Sequence, residues 1–222
     1  MFTVDTNDFV AAIKRVLPHA AKSSQCVPVL EAVRLTIVGD HLVLSATDRY
    51  TMIECRVRLR DGATAGQHPF DAPVPASALK SLVPMIKARN ITEVVPGEGA
   101  TVFDGVRLEH QAGDFPATGR LWPDALHPIN ASALGLGVEH VKKLGALRVS
   151  ARDTTPILFY GFDEVTDPEA GGRKPVVALY GEDTRVLVMP VRTSAQPAWS
   201  EWDVVPAPSA YREAVEARES VA

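Results

Sequence analysis

The chain has 222 residues and a net charge of −4 at pH 7, and 46% of its residues are hydrophobic. These values are ordinary for a soluble globular protein of one large or two small domains, and they exclude a protein that coats DNA by bulk positive charge. No segment approaches the roughly 18 apolar residues of a membrane span, and the start MFTVDTNDFV lacks the regions of a signal peptide. We therefore expect a cytoplasmic protein without a membrane partner.

The cysteines and histidines predict no metal site. Cys26 and Cys55 stand far apart, form no CxxC pair, and lie in apolar or strand-like segments. The six histidines show no ligand spacing. Two buried, reduced thiols are the expected outcome in a reducing compartment.

The first of three similar units spans residues 2–59 and contains an entry strand, an amphipathic helix and three further strands. Thr6 or Asn7 can cap the helix by accepting a hydrogen bond from a free backbone N–H, and Pro18 marks its end. Apolar residues at helical spacing between these points form one stripe. The predicted strands are residues 2–5, 33–38, 41–46 and 50–59.

The second unit, residues 68–122, repeats this order with shorter strands. Ser77 is predicted to cap its helix, and Pro84 inside the helix predicts that it is short or kinked. Asp104-Gly105 between two β-type runs is typical of a tight hairpin. The predicted strands are residues 70–74, 91–95, 100–103 and 106–109.

The third unit, residues 129–192, begins with a glycine-diluted helix predicted from Ser132 to Leu144. A polar, glycine-rich stretch over residues 166–174 predicts a loop between its strands. The predicted strands are residues 146–149, 157–160, 176–180 and 185–191. Beyond them, a Pro-, Ala- and Glu-rich segment with two tryptophans is expected to form a tail.

Few helices and mainly hairpin-connected strands predict an α+β fold, with the helices packed on one face of curved antiparallel sheets. Basic residues lie on each predicted helix, whereas acidic residues are spread through loops and the tail. This distribution would turn positive charge towards DNA phosphates while the rest of the molecule stays acidic. The simpler explanation, that lysine and arginine favour exposed helix faces, stays open at this point.

Four motifs, in order along most of the chain, resemble the bacterial sliding clamp, the beta subunit of DNA polymerase III. Residues 29–35 (VLEAVRL) resemble the junction of a helix and the first hairpin, and residues 45–52 (SATDRYTM) resemble the ATDGHRLA run of the middle domain. Residues 113–116 (GDFP) resemble the G-x-F-P turn that closes a clamp domain. Residues 185–192 (RVLVMPVR) resemble the V-M-P-x-R strand on which such clamps finish.

The resemblance implies DNA-clamp-like repeats, since the family builds each of three domains from two half-units of this kind. Only three half-units are recognisable here. Residues 1–122 are therefore predicted to form one clamp-like domain, residues 123–193 a reduced C-terminal clamp-like domain, and residues 194–222 the tail. A ring would require a homo-oligomer, and four chains would supply twelve half-units.

The resemblance also implies an apolar pocket beside the last strand for a short peptide of a DNA polymerase or another clamp-binding protein. Arg49 and Thr51 stand where the resembled run has Gly and Arg. Leucine, valine and methionine would form an adaptable floor. Trp199 and Trp202 could fold back into this pocket, or the tail could remain disordered. The matching positions are Leu30, Thr47, Tyr50, Met52, Leu187, Val188, Met189, Pro190 and Arg192.

The helix cations are the residues expected to face DNA. Their contacts would be to the phosphate backbone of double-stranded DNA, and hence without sequence specificity and sensitive to salt. The function implied is a processivity or tethering factor that holds replication or repair proteins on DNA. The DNA-facing candidates are Lys14, Arg15, Lys22, Lys80, Lys87, Arg89, Lys142 and Lys143.

The sequence predicts no enzymatic activity and no cofactor. It contains no phosphate-binding G-x-x-x-x-G-K-[ST] loop and no G-x-S-x-G nucleophile elbow. Two alternatives stay open: a non-encircling, clamp-mimicking peptide-binding regulator of replication, and an unrelated α+β enzyme. The mass of the protein in solution would separate a ring from a regulator.

Overall fold

The computed structural model describes residues 1–22, 27–60, 70–127, 129, 135–161 and 175–190. All of them belong to one compact unit, Met1–Val191. The helices are α1 (Thr6–Val16), α2 (Ala76–Ile86) and α3 (Val138–Gly145). The strands are β1 (Phe2–Asp5), β2 (Ala32–Val38), β3 (His41–Thr47), β4 (Thr51–Arg58), β5 (Asp71–Pro75), β6 (Ile91–Pro96), β7 (Ala100–Phe103), β8 (Val106–Glu109), β9 (Ile157–Gly161), β10 (Val176–Tyr180) and β11 (Thr184–Val188).

The strands form two antiparallel sheets, which confirms the α+β prediction. One has four strands in the order β1-β6-β7-β8, and the other has seven in the order β5-β2-β3-β4-β11-β10-β9. The first two units exchange their entry strands, because β1 pairs with β6 and β5 pairs with β2. The third unit extends the sheet of the first, since β11 runs antiparallel to β4. The division of the chain at residue 122 stays a prediction.

One hydrophobic core joins the helices to both sheets. The apolar stripe of α1 buries Phe9 and Ile13, each fully inaccessible to solvent, and Leu79 of α2 is equally buried. The rings of Phe9 and Phe103 stack with 5.7 Å between their centroids, so that α1 is attached to β7. Burial of each such side chain contributes about 1.5–3 kcal/mol, which makes the core the main source of stability. The opposite faces of α1 and α2 remain exposed.

The cap of α1 differs from the prediction. Asp5 occupies the N-cap position, and its Oδ1 accepts hydrogen bonds from the backbone N–H groups of Asn7 at 2.9 Å and Asp8 at 3.3 Å. The prediction of Thr6 or Asn7 as cap was wrong because Thr6 is buried and its hydroxyl pairs with that of Thr92 at 2.9 Å. The cap therefore moves one residue back, to the carboxylate that stays accessible.

The start of α2 also differs from the prediction, whereas the turn between β7 and β8 agrees with it. The helix begins with Pro75 as N-cap and no side-chain cap, so the predicted cap at Ser77 was wrong. The helix has 11 residues in all, and it continues beyond Pro84 to its end at Ile86. Asp104 and Gly105 have φ angles of 48° and 85°, the left-handed values that a two-residue type I′ hairpin turn requires.

The third unit contains the largest departures. Residues 135–137 are not helical, and α3 begins only at Val138, while the predicted helical residues 132–134 lie outside the described residues. The strand predicted over residues 146–149 was wrong. Ala146 and Leu147 turn to close α3, and Leu147 is fully buried against the core. The predicted strands at residues 157–160 and 176–180 are confirmed by β9 and β10, whereas the predicted loop and tail lie outside the described residues.

Candidate peptide site and helix surface

The seven-stranded sheet brings three predicted pocket residues into one row. Thr47 lies opposite Met52 in the β3–β4 pair, and Met52 lies opposite Leu187 in the β4–β11 pair. Directly opposed residues of antiparallel strands point to the same side of a sheet. The row continues to Val177 of β10 and Tyr160 of β9. We call the side that bears this row the outer face, since the alternate residues point into the core with α1.

The remaining predicted pocket residues lie elsewhere. Val188 is fully buried in the core on the opposite side of the sheet from Leu187. Leu30 is 5% exposed in a short 3-10 helix, Pro28–Glu31, that precedes β2. Met189 and Pro190 follow the end of β11, and Met189 is 37% exposed. Arg192 lies outside the described residues.

A tightly bonded turn places Tyr50 at the edge of this surface. Asp48 accepts hydrogen bonds at Oδ1 from the backbone N–H groups of Tyr50 at 3.1 Å and Thr51 at 2.8 Å. Arg49 is in the left-handed region with a φ of 78°, at the position where the resembled run has Gly. Tyr50 is 57% exposed, and its carbonyl accepts a hydrogen bond from the N–H of Met189 at 2.9 Å. The turn and the end of β11 therefore form one rim.

The same turn holds α3. The ammonium group of Lys143 donates to Oδ2 of Asp48, and the two side chains are only 16% and 10% exposed. Burial by itself raises the pKa of Asp48, but the hydrogen bonds from Lys143 and Thr51 and the charge of Lys143 together lower it below its ordinary value. His140 of α3 stacks on Tyr50 with 6.4 Å between the ring centroids. These two contacts, from His140 and Lys143, fix α3 beside the rim.

A buried histidine lies below this ion pair. Nδ1 of His19 lies 3.1 Å from the hydroxyl oxygen of Thr51. Burial, with a smaller contribution from the charge of Lys143, lowers the pKa of His19 to about 3. The imidazole is therefore neutral at physiological pH, and Lys143 carries the positive charge of this cluster.

The centre of the outer face is covered by the chain itself. Met52, Val177 and Leu187 form an apolar cluster, and each is at most 8% exposed. Trp122 packs against this cluster together with Tyr160 and Leu179. Sequence reasoning missed Trp122, because a tryptophan beside a proline in a linker carries no distinguishing signal. Trp199 and Trp202, which were considered for this position, lie outside the described residues.

The Trp122 ring is also contacted by a charged side chain, that of Arg185. The guanidinium of Arg185 lies 4.1 Å from the centroid of the indole ring, and a cation over an aromatic face is an attractive arrangement. Arg185 donates to Oε2 of Glu54 at 2.6 and 3.0 Å, and the Glu54 side chain is 9% exposed. Thr118 donates to the other carboxylate oxygen of Glu54 at 3.5 Å. Glu54 therefore connects the start of the covering segment to Arg185.

The predicted DNA-facing residues divide into exposed and paired cations. Lys14 on α1, Lys80 on α2 and Lys87 at the end of α2 are exposed, and no ion pair among the described residues involves them. Lys22 is exposed as well. Arg89 is 57% exposed and lies 3.8 Å from the buried carboxylate of Asp104. The helices α1 and α2 pack against each other, and we call their exposed faces, with Lys14, Lys80 and the adjoining Lys87, the helix surface.

Three of the predicted cations are bound to the protein itself. Arg15 is 13% exposed, donates to Asp183 at 3.1 Å and to the carbonyl of Leu147, and its guanidinium lies over the ring of Tyr180. Lys143 is occupied by Asp48 as described above. Lys142 is 67% exposed and pairs with Glu139 at 2.6 Å within α3. The structure therefore does not place these three with the free cations of the helix surface.

Other kinds of site find no support in the described residues. These residues contain no group of three or more His, Cys, Asp and Glu side chains that could hold a metal ion. Cys55 is buried and unpaired, burial raises its pKa to about 12, and Cys26 lies outside the described residues. Within the same residues, no helix is both long and apolar enough to cross a membrane.

Residues 1–117 match the family model of the N-terminal domain of the DNA polymerase III beta subunit. The match is to an N-terminal domain, whereas residues 45–52 were compared above with a run of the middle domain. Both domain types share the same half-units, so a short ATD motif could not separate them.

Individual relatives agree with this match. The beta sliding clamp of Streptomyces coelicolor is 26% identical over 196 residues, which are 83% of this chain and 50% of that protein. The chain thus spans half the length of this curated relative. The sliding clamp of Bacillus subtilis superposes with a TM-score of 0.65 at 14% identity, covering 86% of this chain and 64% of that one. The DNA polymerase III beta subunit of Thermotoga maritima gives 0.64 at 15% identity, covering 92% and 67%. At these identities the structural matches show a shared fold.

Proposed function

Because this chain belongs to the family of the DNA polymerase III beta subunit, we propose that it acts as a sliding-clamp-like processivity or tethering factor. The observation that carries this proposal is the family match over residues 1–117, which include both helices of the helix surface. The relatives with this fold are named as sliding clamps. In this role the chain would hold replication or repair proteins on DNA rather than catalyse a reaction.

We infer that the helix surface contacts the phosphates of double-stranded DNA. Lys14, Lys80 and Lys87 are its exposed cations and form no ion pair with the residues that the structure describes, whereas the chain as a whole is acidic. Local positive charge on an acidic molecule favours contact through one surface and repulsion elsewhere. Each phosphate neutralised by a lysine contributes about −0.9 to the slope of log K against log salt concentration.

The DNA proposal is tested by removing these three charges together. In K14Q/K80Q/K87Q we expect weaker binding to a fluorescent duplex of arbitrary sequence and a salt slope smaller by about 0.9 for each lysine that contacts a phosphate. The matched control is R56Q/R58Q/R107Q, which removes three exposed cations from β4 and β8. An equal loss in the control would show that binding depends on net charge and not on the helix surface.

We further propose that copies of the chain assemble through free sheet edges. β8 ends the four-stranded sheet, and β9 ends the seven-stranded one, where the only backbone pairing beyond β9 among the described residues is between Gly161 and His127. An open strand edge is a template for pairing with another chain. The assembly would be a homo-oligomer around DNA.

The alternative is a non-encircling regulator, and one observation favours it. The edge of β4 is already occupied by β11 of the same chain, so the third unit completes the sheet of the first instead of forming one of its own. Light scattering over a range of concentrations decides between them. A closed oligomer retained on circular but not on linear DNA supports the ring, and a monomer at all concentrations supports the regulator.

We propose that the outer face, with the rim of Tyr50 and Met189, receives a short peptide of the partner protein. The row from Thr47 through Met52 to Leu187 supports this, since it places an apolar strip beside the exposed rim. The test is fluorescence anisotropy with a synthetic peptide that carries the clamp-binding segment of a bacterial replicative polymerase. Absence of binding at high micromolar concentration contradicts the proposal.

A further inference from the structure

Trp122 lies where a partner side chain would have to lie. The apolar strip of the outer face is formed by Met52 and Leu187, and Trp122 packs against the cluster that these residues form with Val177. The three residues of the cluster are at most 8% exposed, and the indole is one of the side chains that cover them, with Tyr160 and Leu179. A peptide that uses this strip therefore meets the protein's own tryptophan first.

The segment that carries Trp122 is attached mainly at its two ends. At one end Thr118 is buried and donates to Glu54, and a 3-10 helix covers Thr118–Leu121. At the other end His127 exchanges two backbone hydrogen bonds with Gly161, of 2.7 and 3.3 Å. No backbone hydrogen bond recorded for the described residues ties residues 121–126 to the sheet. This stretch can leave the outer face while both ends stay in place.

The contact of Trp122 is stabilised by packing but is incomplete in its polar part. Its ring contacts both the apolar cluster and the guanidinium of Arg185, and each of these favours an aromatic side chain. Its Nε1–H group is buried and has no hydrogen-bond acceptor among the described residues. A buried donor without an acceptor is unfavourable, and it regains a partner when the indole moves into water. The unpaired Nε1–H group therefore destabilises the covered state, and this cost disappears when the segment opens.

We propose that Trp122 is an intramolecular occupant of the peptide site, so that a partner peptide binds only when its own large apolar side chain displaces residues 121–126. This inference rests on the proposed peptide function of the outer face. It specifies the chemistry of the ligand: an aromatic or leucine-like anchor that replaces the indole over Met52 and Leu187. The indole and the peptide compete for one surface. The apparent affinity for the peptide is therefore the intrinsic affinity multiplied by the fraction of molecules in the open state.

The test compares the peptide affinity of the full chain with that of Trp122→Ala. We expect W122A to bind the polymerase peptide at least about tenfold more tightly, because the competing side chain is gone. Leu121→Ala is the matched control, since Leu121 is 48% exposed and is not part of the covered cluster. T118V, which removes the hydrogen bond to Glu54 and retains the indole, is expected to give a smaller gain and serves if W122A does not fold.

A second readout follows Trp122 directly. In the background W199F/W202F it is the only tryptophan of the chain. Addition of peptide should shift its emission to longer wavelength and increase its quenching by acrylamide, as the indole enters water. A change in fluorescence without a gain in affinity for W122A would contradict competition.

The outcomes separate this inference from the proposed function. Tighter binding by W122A with L121A unchanged supports the inference. Equal, tight binding by wild type and W122A leaves the peptide site in place and overturns the role of Trp122. Absence of binding by both folded proteins overturns the peptide site and, with it, the role of Trp122.

Discussion

The α1–α2 pair and α3 carry the same sequence pattern, yet they use their cations differently. Lys14 and Lys80 point away from the core and are unpaired among the described residues. Lys143 points back to the sheet and binds the buried carboxylate of Asp48. The difference follows from length: α1 and α2 have 11 residues and are attached by several buried apolar side chains, whereas α3 has eight and buries only Leu144. A short helix that buries a single apolar side chain relies on a polar attachment, and a cation then serves the fold rather than a ligand.

The strongest test of this comparison is Lys143→Met. It leaves the Asp48 carboxylate buried without its cation, and we expect the free energy of unfolding to fall by about 3 kcal/mol, as for a broken buried ion pair. Urea denaturation measures the change. The matched control Lys142→Met, on the exposed side of the same helix, should change stability by less than about 0.5 kcal/mol. Equal effects would show that α3 is not held by Lys143.

The second test uses the pH dependence of the same cluster. Because burial lowers the pKa of His19 to about 3, from an ordinary value of 6.5, the unfolded chain binds a proton here that the folded chain does not. Stability is therefore lost as pH falls from about 6.5 towards 3, by about 1.4 kcal/mol per pH unit. Unfolding measured between pH 7 and 5 should show a flatter profile for His19→Gln than for wild type.

Asp48 and His110 also have shifted pKa values, so their contributions to the pH dependence of stability must be separated from that of His19. The pKa of Asp48 is lowered below its ordinary 3.8, so its contribution is lost only below the range of this measurement. The pKa of His110 is lowered mainly by burial, but this residue is only partly buried. His110→Gln should therefore flatten the profile less than His19→Gln does. The reverse order would contradict a buried, neutral His19.

The smallest effect is expected at the turn that presents Asp48 to Lys143. Arg49 has a φ of 78°, and the left-handed region costs a residue with a Cβ about 1–2 kcal/mol. Arg49→Gly removes this strain but increases the entropy of the unfolded chain, so we expect a gain of about 0.5 kcal/mol in thermal denaturation. Arg49→Ala retains the strain and should not gain. A gain in both variants would assign the effect to the lost charge and not to the backbone.

Much of the fold could be predicted from local patterns. Alternation of apolar residues located most strands, including those around Gly39-Asp40 and Asp104-Gly105, because a strand and its tight turn are set by neighbours in the chain. The exchange of β1 and β5 between the two sheets could not be predicted. It depends on which buried faces meet across 35 to 92 residues of the chain, and alternation is equally satisfied by either pairing. The wrong strand at residues 146–149 has a similar cause, since Leu147 meets the core as the end of a helix.

The candidate site, too, could be predicted only in part from the sequence. The resemblance at residues 45–52 and 185–192 placed Thr47, Met52 and Leu187 together, and the β4–β11 register supports that grouping. It could not show that Val188 points the other way or that Trp122 covers the cluster. Neither could it separate Lys80, which is exposed, from Arg15, which is bound by Asp183. These distinctions depend on which side chains come within contact distance after folding.

By itself the sequence determined the class of the protein. The class follows from composition, from the period of the apolar residues and from the clamp-like motifs. Each of these can be recognised in the sequence without knowing which distant residues come into contact. The tertiary structure alone decided which cations are free, which residue covers the outer face and which strand edges stay open. Burial and charge pairing are set by groups distant in sequence, such as Asp48 and Lys143 or Met52 and Trp122, and only the folded chain brings them together.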